Sequence, residues 1–160
     1  MDAKTEREPV QHRTTVERKS EREIVVTRTL DAPARIVFEA WAKAELFERW
    51  WVPKSIGMPL ASCEVDMRTG GGYRLEFGNG MAFFGRYIEV TPPSRIVWTN
   101  DEAGDDGAVT TVTLVEQDGK TLLTLSELYP SKEALDRNAG AEAALSETFE
   151  QLDALLVEMH

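Results

Sequence analysis

Few side chains in this chain are equipped for covalent or acid–base chemistry, and their positions narrow the choices. The two histidines are His12, in a charged N-terminal stretch, and His160, the last residue. Neither falls within the apolar body of the chain, so a Ser-His or Cys-His nucleophile is not expected. Cys63 is the single cysteine, which excludes an intrachain disulfide and a cysteine zinc cluster. Its flanks, Ser62-Cys63-Glu64-Val65, read as strand, so a small buried hydrophobe is expected there rather than a reactive thiol. The run Thr69-Gly70-Gly71-Gly72 reads as a turn. No Lys-Ser/Thr follows it and no helix opens after it, so it is not a phosphate cradle. The stretch DEAGDDG over 101–107 lacks the ligand spacing and closing Glu of a calcium loop, and a solvated hairpin tip is expected. The remaining acid–base candidates are Glu127, Tyr87 and Asp66, with Arg74 a further polar candidate. Glu127 lies in Leu125-Ser126-Glu127-Leu128-Tyr129. Facing inward beside Tyr129, it would be desolvated, raised in pKa and fit to donate a hydrogen bond or act as general base; facing outward, it is a surface carboxylate. No metal and no cofactor are expected.

The elements that would position such groups are organised around Leu30 to Pro53. That stretch holds five of the thirteen aromatic residues and three of the four tryptophans. Rings at this density form a core or a cavity wall. Asp31 is placed to cap a helix whose first turn contains Pro33. Ala34, Val37, Phe38 and Trp41 follow with helical spacing. A second short helix over about 43–51 carries Leu46, Phe47, Trp50 and Trp51, and Pro53 stops it. Before this pair, EIVVTRTL over 23–30 reads as a first strand. After it come strands over 60–67, 73–77, 81–90, 94–100, 108–117 and 120–129. Gly78-Asn79-Gly80, Pro92-Pro93 and Asp118-Gly119 separate them. Ser131 caps a helical region that Gly140 interrupts. From Ala141 on, Leu145, Phe149, Leu152, Leu155, Leu156 and Met159 recur at three- and four-residue steps, one apolar face on a helix of about 19 residues.

Tight turns between consecutive strands imply an antiparallel sheet. One long helix covers its inner face and the short pair closes one end. The expected architecture is α+β: a curved antiparallel sheet of about six to seven strands around a long C-terminal helix, with two short helices between strands 1 and 2. An interior cavity is the natural consequence. Residues 1–22 are expected to be a disordered or weakly ordered charged tail, and 23–160 a single domain. That tail holds five acids and six bases, a net of +1, so the rest of the chain carries −11 and the whole −10. A body this acidic repels phosphate backbones, which argues against nucleic-acid binding. No run approaches a membrane span and no signal peptide is evident, so a cytoplasmic protein is expected.

At this point the residues resemble a known family. They are TRTLDAPARIVFEAW (27–41), ERWWVPKS (48–55), CEVDMRTGGGYRLEF (63–77), GRYIEVTPPSRIVWTN (85–100), TTVTLVE (110–116) and ETFEQLDALL (147–156). Together they resemble the homologues of the C-terminal domain of the activator of the heat-shock-protein-90 ATPase. That family falls in the START-like, birch-pollen-allergen-like (SRPBCC) superfamily with its helix-grip fold. The resemblance implies a module whose relatives include hydrophobic-ligand carriers, polyketide cyclases, stress-response regulators and a chaperone activator. It also sets Ala144 where relatives often repeat glycine before the last helix.

Three readings follow. In the first, a small apolar or aromatic molecule binds the cavity, contacting Trp41, Trp50, Trp51, Tyr73, Phe77, Tyr87, Trp98, Glu127, Tyr129, Phe149 and Leu152. In the second, a cyclase-type enzyme uses one cavity acid–base group, Glu127 being the catalytic candidate. In the third, the chain contacts a chaperone or another stress-response partner.

Overall fold

The computed structural model describes residues 14–138 and 140–159. One eight-stranded antiparallel sheet dominates it, in the order β1-β2-β8-β7-β6-β5-β4-β3. The strands are β1 (Thr15–Arg18), β2 (Glu23–Leu30), β3 (Leu60–Val65), β4 (Gly72–Phe77), β5 (Ala82–Thr91), β6 (Arg95–Thr99), β7 (Val109–Gln117) and β8 (Lys120–Leu128). Helices α1 (Ala34–Ala42) and α2 (Ala44–Phe47) connect β2 to β3. Helices α3 (Lys132–Arg137) and α4 (Ala144–Met159) close the chain. This is the expected helix-grip arrangement with one more strand. The extra strand, β1, falls in the stretch expected to be a charged tail. Its four residues are all exposed, and it is held by backbone pairing with β2 from Thr15↔Thr27 to Arg18↔Ile24. Backbone pairing needs no apolar side chains, which is why composition concealed it.

Period-two alternation sets the inner face. Along β2, Ile24, Val26, Arg28 and Leu30 are buried, and along β8, Thr121, Leu123 and Leu125. Helix α4 lies against this face with Phe149, Leu152, Leu155 and Leu156 buried. Burial of each such side chain contributes roughly 1.5–3 kcal/mol. Arg28 is the one cation on the inner face at 4 % exposure among the described residues. Its Nη2 donates to Asp153 Oδ2 of α4 at 2.6 Å and its Nη1 to Thr14 Oγ1 at 2.8 Å. The ion pair ties helix to sheet where a lone guanidinium would be costly.

Two helix starts differ from expectation. Pro33, not Asp31, is the N-cap residue of α1. The Ala34 N–H donates to Glu116 Oε1 of β7 at 2.9 Å, so a strand side chain caps the helix, while Asp31 lies 3.5 Å from Lys120 Nζ. Helix α4 begins at Ala144 rather than Ala141. Gly140 adopts φ 97°, and a single 3₁₀ turn over Ala141–Ala143 precedes the helix. Ser131 does cap α3, its Oγ accepting from Ala134 N–H at 3.0 Å.

Candidate functional site

Helix α1, α2 and the turn after it, the inner faces of β4, β5, β6 and β8, and the start of α4 line a cavity of about 330 Å³. That volume is at the lower end for small-molecule pockets. Its wall is built from rings in mutual contact. Trp41 lies 6.3 Å from Trp51, Trp51 lies 6.1 Å from Trp98, Trp98 lies 6.5 Å from Tyr73, and Tyr73 lies 5.7 Å from Tyr87. Phe47 stacks on Trp51 at 5.2 Å. These separations and tilts are those of favourable aromatic pairs. The chain thus runs unbroken from helix α1 to the far strands of the sheet.

Adjacent tryptophans divide the work. Trp51 faces the cavity, whereas Trp50 is fully buried beneath it. The Trp50 Nε1–H donates to Ala40 O at 3.0 Å, and its ring packs 4.7 Å from Trp41 and 6.5 Å from Phe149. Trp50 therefore anchors α1 against the turn and is not a lining residue. Three other sequence candidates also lie outside the lining. Phe149 and Leu152 face the sheet from the middle of α4 and are fully buried in the core. Phe77 lies at the far end of β4, edge-on to Phe83 at 5.5 Å. Trp41, Trp51, Tyr73, Tyr87, Trp98, Glu127 and Tyr129 all line the cavity.

Polar groups collect on one side. Tyr73 Oη donates to Thr99 O at 2.8 Å. Asn100 Nδ2 donates to Ala108 O at 2.8 Å and to Thr110 Oγ1 at 2.9 Å. That corner is tight. A Cβ on Gly85 would stand 2.0 Å from Thr99 O, so only glycine lets β5 approach. Glu127 faces inward: it lies two residues on from Leu125 and shares its face of β8, and Tyr129 Oη donates to its Oε1 at 3.3 Å. Burial pushes the Glu127 carboxyl upward, against the smaller pull of the Tyr129 hydrogen bond and with a smaller push from Glu142. Burial likewise raises the Tyr73, Tyr87 and Tyr129 phenols and holds them neutral. Trp41 Nε1 is buried with no hydrogen-bond partner among the described residues.

The other chemical candidates lie elsewhere. Asp66 is exposed beside Arg68 at 3.0 Å. Arg74 is also exposed, paired with Glu76 and set over the Phe84 ring at 5.1 Å. Cys63 is half-buried outside the lining, its thiol pushed up to about 11 mainly by burial, as expected of an inert thiol. No cluster of three metal-ligating side chains occurs among the described residues.

The mouth holds the residues that sequence reasoning missed. Asp101–Asp106, the β6–β7 hairpin tip, is exposed over 102–105 as expected, and it is wound into 3₁₀ turns. Glu102, Ala103 and Asp106 from it line the opening. Glu102 Oε1 accepts from Phe84 N–H at 3.0 Å, and Asp106 receives two hydrogen bonds from Arg137 of α3 at 2.8 and 2.9 Å. Ile56, Phe83, Asn138, Ala144, Leu145 and Thr148 complete the lining with Phe47, Pro53, Leu75, Asn100 and Ala108. Leu75 could have been found from its two-residue offset from Tyr73. Asp106 had no local signal, because its place depends on Arg137, 31 residues away. The Pro53–Ile56 segment is fastened to α4. Ser55 Oγ donates to Glu147 Oε1 at 2.6 Å, Gln151 Oε1 accepts from Lys54 N–H at 2.8 Å, and Gln151 Nε2 donates to Trp50 O and Val52 O.

The comparisons with known proteins agree with this architecture. A Rhodobacter sphaeroides protein of known crystal structure superposes with a TM-score of 0.81 at 22 % identity, covering 92 % of this chain and 99 % of the other. A Mycobacterium smegmatis protein gives 0.76 at 26 % identity with the same coverage. An AHSA1-like protein from Aeromonas hydrophila, solved by NMR, gives 0.67 at 20 % identity, covering 86 % and 96 %. No curated protein matches the chain in sequence. No helix among the described residues is long and apolar enough to cross a membrane. The family profile described as Activator of Hsp90 ATPase homolog 1-like protein matches residues 31–157. Spanning both the ring-bearing helices and the closing helix, that match shows that the chain belongs to this family.

Proposed function

We propose that this protein binds a small apolar or aromatic molecule in the cavity between sheet and α4. The observation that carries the reading is the unbroken ring wall Trp41–Trp51–Trp98–Tyr73–Tyr87 around about 330 Å³ of space. A wall of this kind offers large contact area at small conformational cost, and polar groups gathered on one side orient what enters. The test is protein-observed amide NMR against a library of aromatic compounds, sterols and fatty acids. Binding compounds should shift amides of the lining strands and of Trp51–Ile56. Ala144 is exposed at the mouth, so Ala144→Trp should obstruct entry, weakening binding by at least about tenfold, without loss of fold. A library that leaves every amide unmoved would remove the reading.

A second reading is carried by Glu127 alone. A carboxyl whose pKa burial raises above the ordinary value, beside a neutral phenol, is suited to general acid–base catalysis on a bound molecule. It requires the same cavity and the same ligand class. Turnover that survives Glu127→Gln would eliminate it.

A further inference from the structure

The charges around the cavity are of one sign. Its lining contains Glu102, Asp106 and Glu127 and, among the described residues, no lysine, arginine or histidine. Two of these carboxylates are already engaged by the protein. Asp106 is neutralised by the two hydrogen bonds from Arg137, and Glu102 accepts the Phe84 N–H. Glu127 is different. Its hydrogen bond from Tyr129 is long at 3.3 Å, it is paired with no cation among the described residues, and it faces the cavity. The electron-rich rings of Trp41, Trp51 and Trp98 line the same enclosure. Indole faces attract cations, and a desolvated carboxylate forms a charge-assisted hydrogen bond with an ammonium. A ligand carboxylate would meet Glu127 with no cation to offset the repulsion, as fatty acids would.

We infer that the cavity selects ligands that carry an ammonium group on an apolar or aromatic body, with Glu127 as the counter-ion. This rests on the ligand-binding reading and names its chemical class. The groups that set the charge of Glu127 are Tyr129 at the end of its own strand and Glu142 in the turn before α4. Arg137, on α3, is occupied by Asp106. An entering ammonium ion pairs with the Glu127 carboxylate, and any proton that burial holds on that carboxyl leaves to solvent as the pair forms.

Three probes share one ring system: tryptamine, tryptophol and indole-3-propionate. Isothermal titration at neutral pH should find tryptamine bound at least about tenfold more tightly than tryptophol, with the acid weakest. Glu127→Gln should lower tryptamine affinity by about tenfold. Tryptamine affinity of the native protein should also fall as pH is lowered toward about 4, where the carboxyl takes up a proton, and that of the variant should not. A purely structural role for Glu127 would leave the same pH dependence in the variant, as would diffuse attraction to the acidic surface. Failure of tryptamine to bind overturns the inference whatever else binds. Tryptophol or the acid binding as tightly as the amine overturns charge selection and leaves ligand binding standing. Silence from all three probes and from the NMR library overturns both.

Discussion

Glu127 shows how a single position joins folding to chemistry. The pleat of β8 sends it to the same side as Leu123 and Leu125, so placing a carboxyl there sets it against the interior. Burial lifts its pKa in the folded protein above the ordinary value. The folded state therefore holds this proton more tightly than the unfolded chain does. Its stabilising contribution is complete below the unfolded value and is lost as pH rises through the folded one. Glu127→Gln should accordingly be more stable than the native protein at about pH 8, with the difference closing toward about pH 4. Urea midpoints followed by circular dichroism measure it, and a difference that widened toward acid would show that burial does not dominate. The neighbouring positions are equally specific. Trp50 and Trp51 are adjacent and chemically identical, yet one is a core anchor and the other a cavity wall. A single turn, with Trp51 N–H bonded to Phe47 O at 3.1 Å, separates their directions.

Among the elements, the joint between β2 and α4 is the most exposed to a single substitution. Asp153→Ala would leave the Arg28 guanidinium buried with only the Thr14 hydroxyl as a named partner. The expected cost is about 2–3 kcal/mol, moderated because Asp153 is itself 24 % exposed. Chemical denaturation at neutral pH reads it, and a loss below about 0.5 kcal/mol would mean that water reaches the guanidinium. The element order was legible in the sequence because its signals are local. Alternation marked the strands, Gly-Asn-Gly and Asp-Gly marked the hairpins, and three- and four-residue steps marked α4. The ring-rich stretch identified the closed end of the cavity for the same reason. What escaped depends on contacts between distant parts of the chain. Glu116 caps α1 from 82 residues away. Arg137 draws Asp106 to the mouth, turning an acidic segment with every mark of a solvated loop into part of a wall. The inward face of Glu127 was open to reading from alternation, but its polarity argued the other way. Only the packed sheet decided between them.

At the scale of the whole molecule, β1 and β3 end the sheet among the described residues. The side chains of β1 are exposed, and that strand occupies the hydrogen-bonding edge of β2, brings Thr14 to Arg28 and pairs Arg18 with Asp136 of α3. Deleting residues 1–19 should preserve the helix-grip fold while lowering Tm by about 5 °C. It should also promote concentration-dependent association through the bared β2 edge. Calorimetry and light scattering together test this, and an unchanged Tm with no association would make β1 dispensable. The ring wall has a consequence of another kind. All four tryptophans of the chain belong to it or touch it directly: Trp41, Trp51 and Trp98 line the cavity, and Trp50 packs on the first two. No indole elsewhere contributes to the ultraviolet emission, and centroid separations of 4.7–6.3 Å place these four close enough to share excitation. Indole emission from this protein thus comes from the walls of one chamber and the tryptophan packed directly behind them, so a molecule bound as proposed should disturb the signal as a whole rather than a fraction of it.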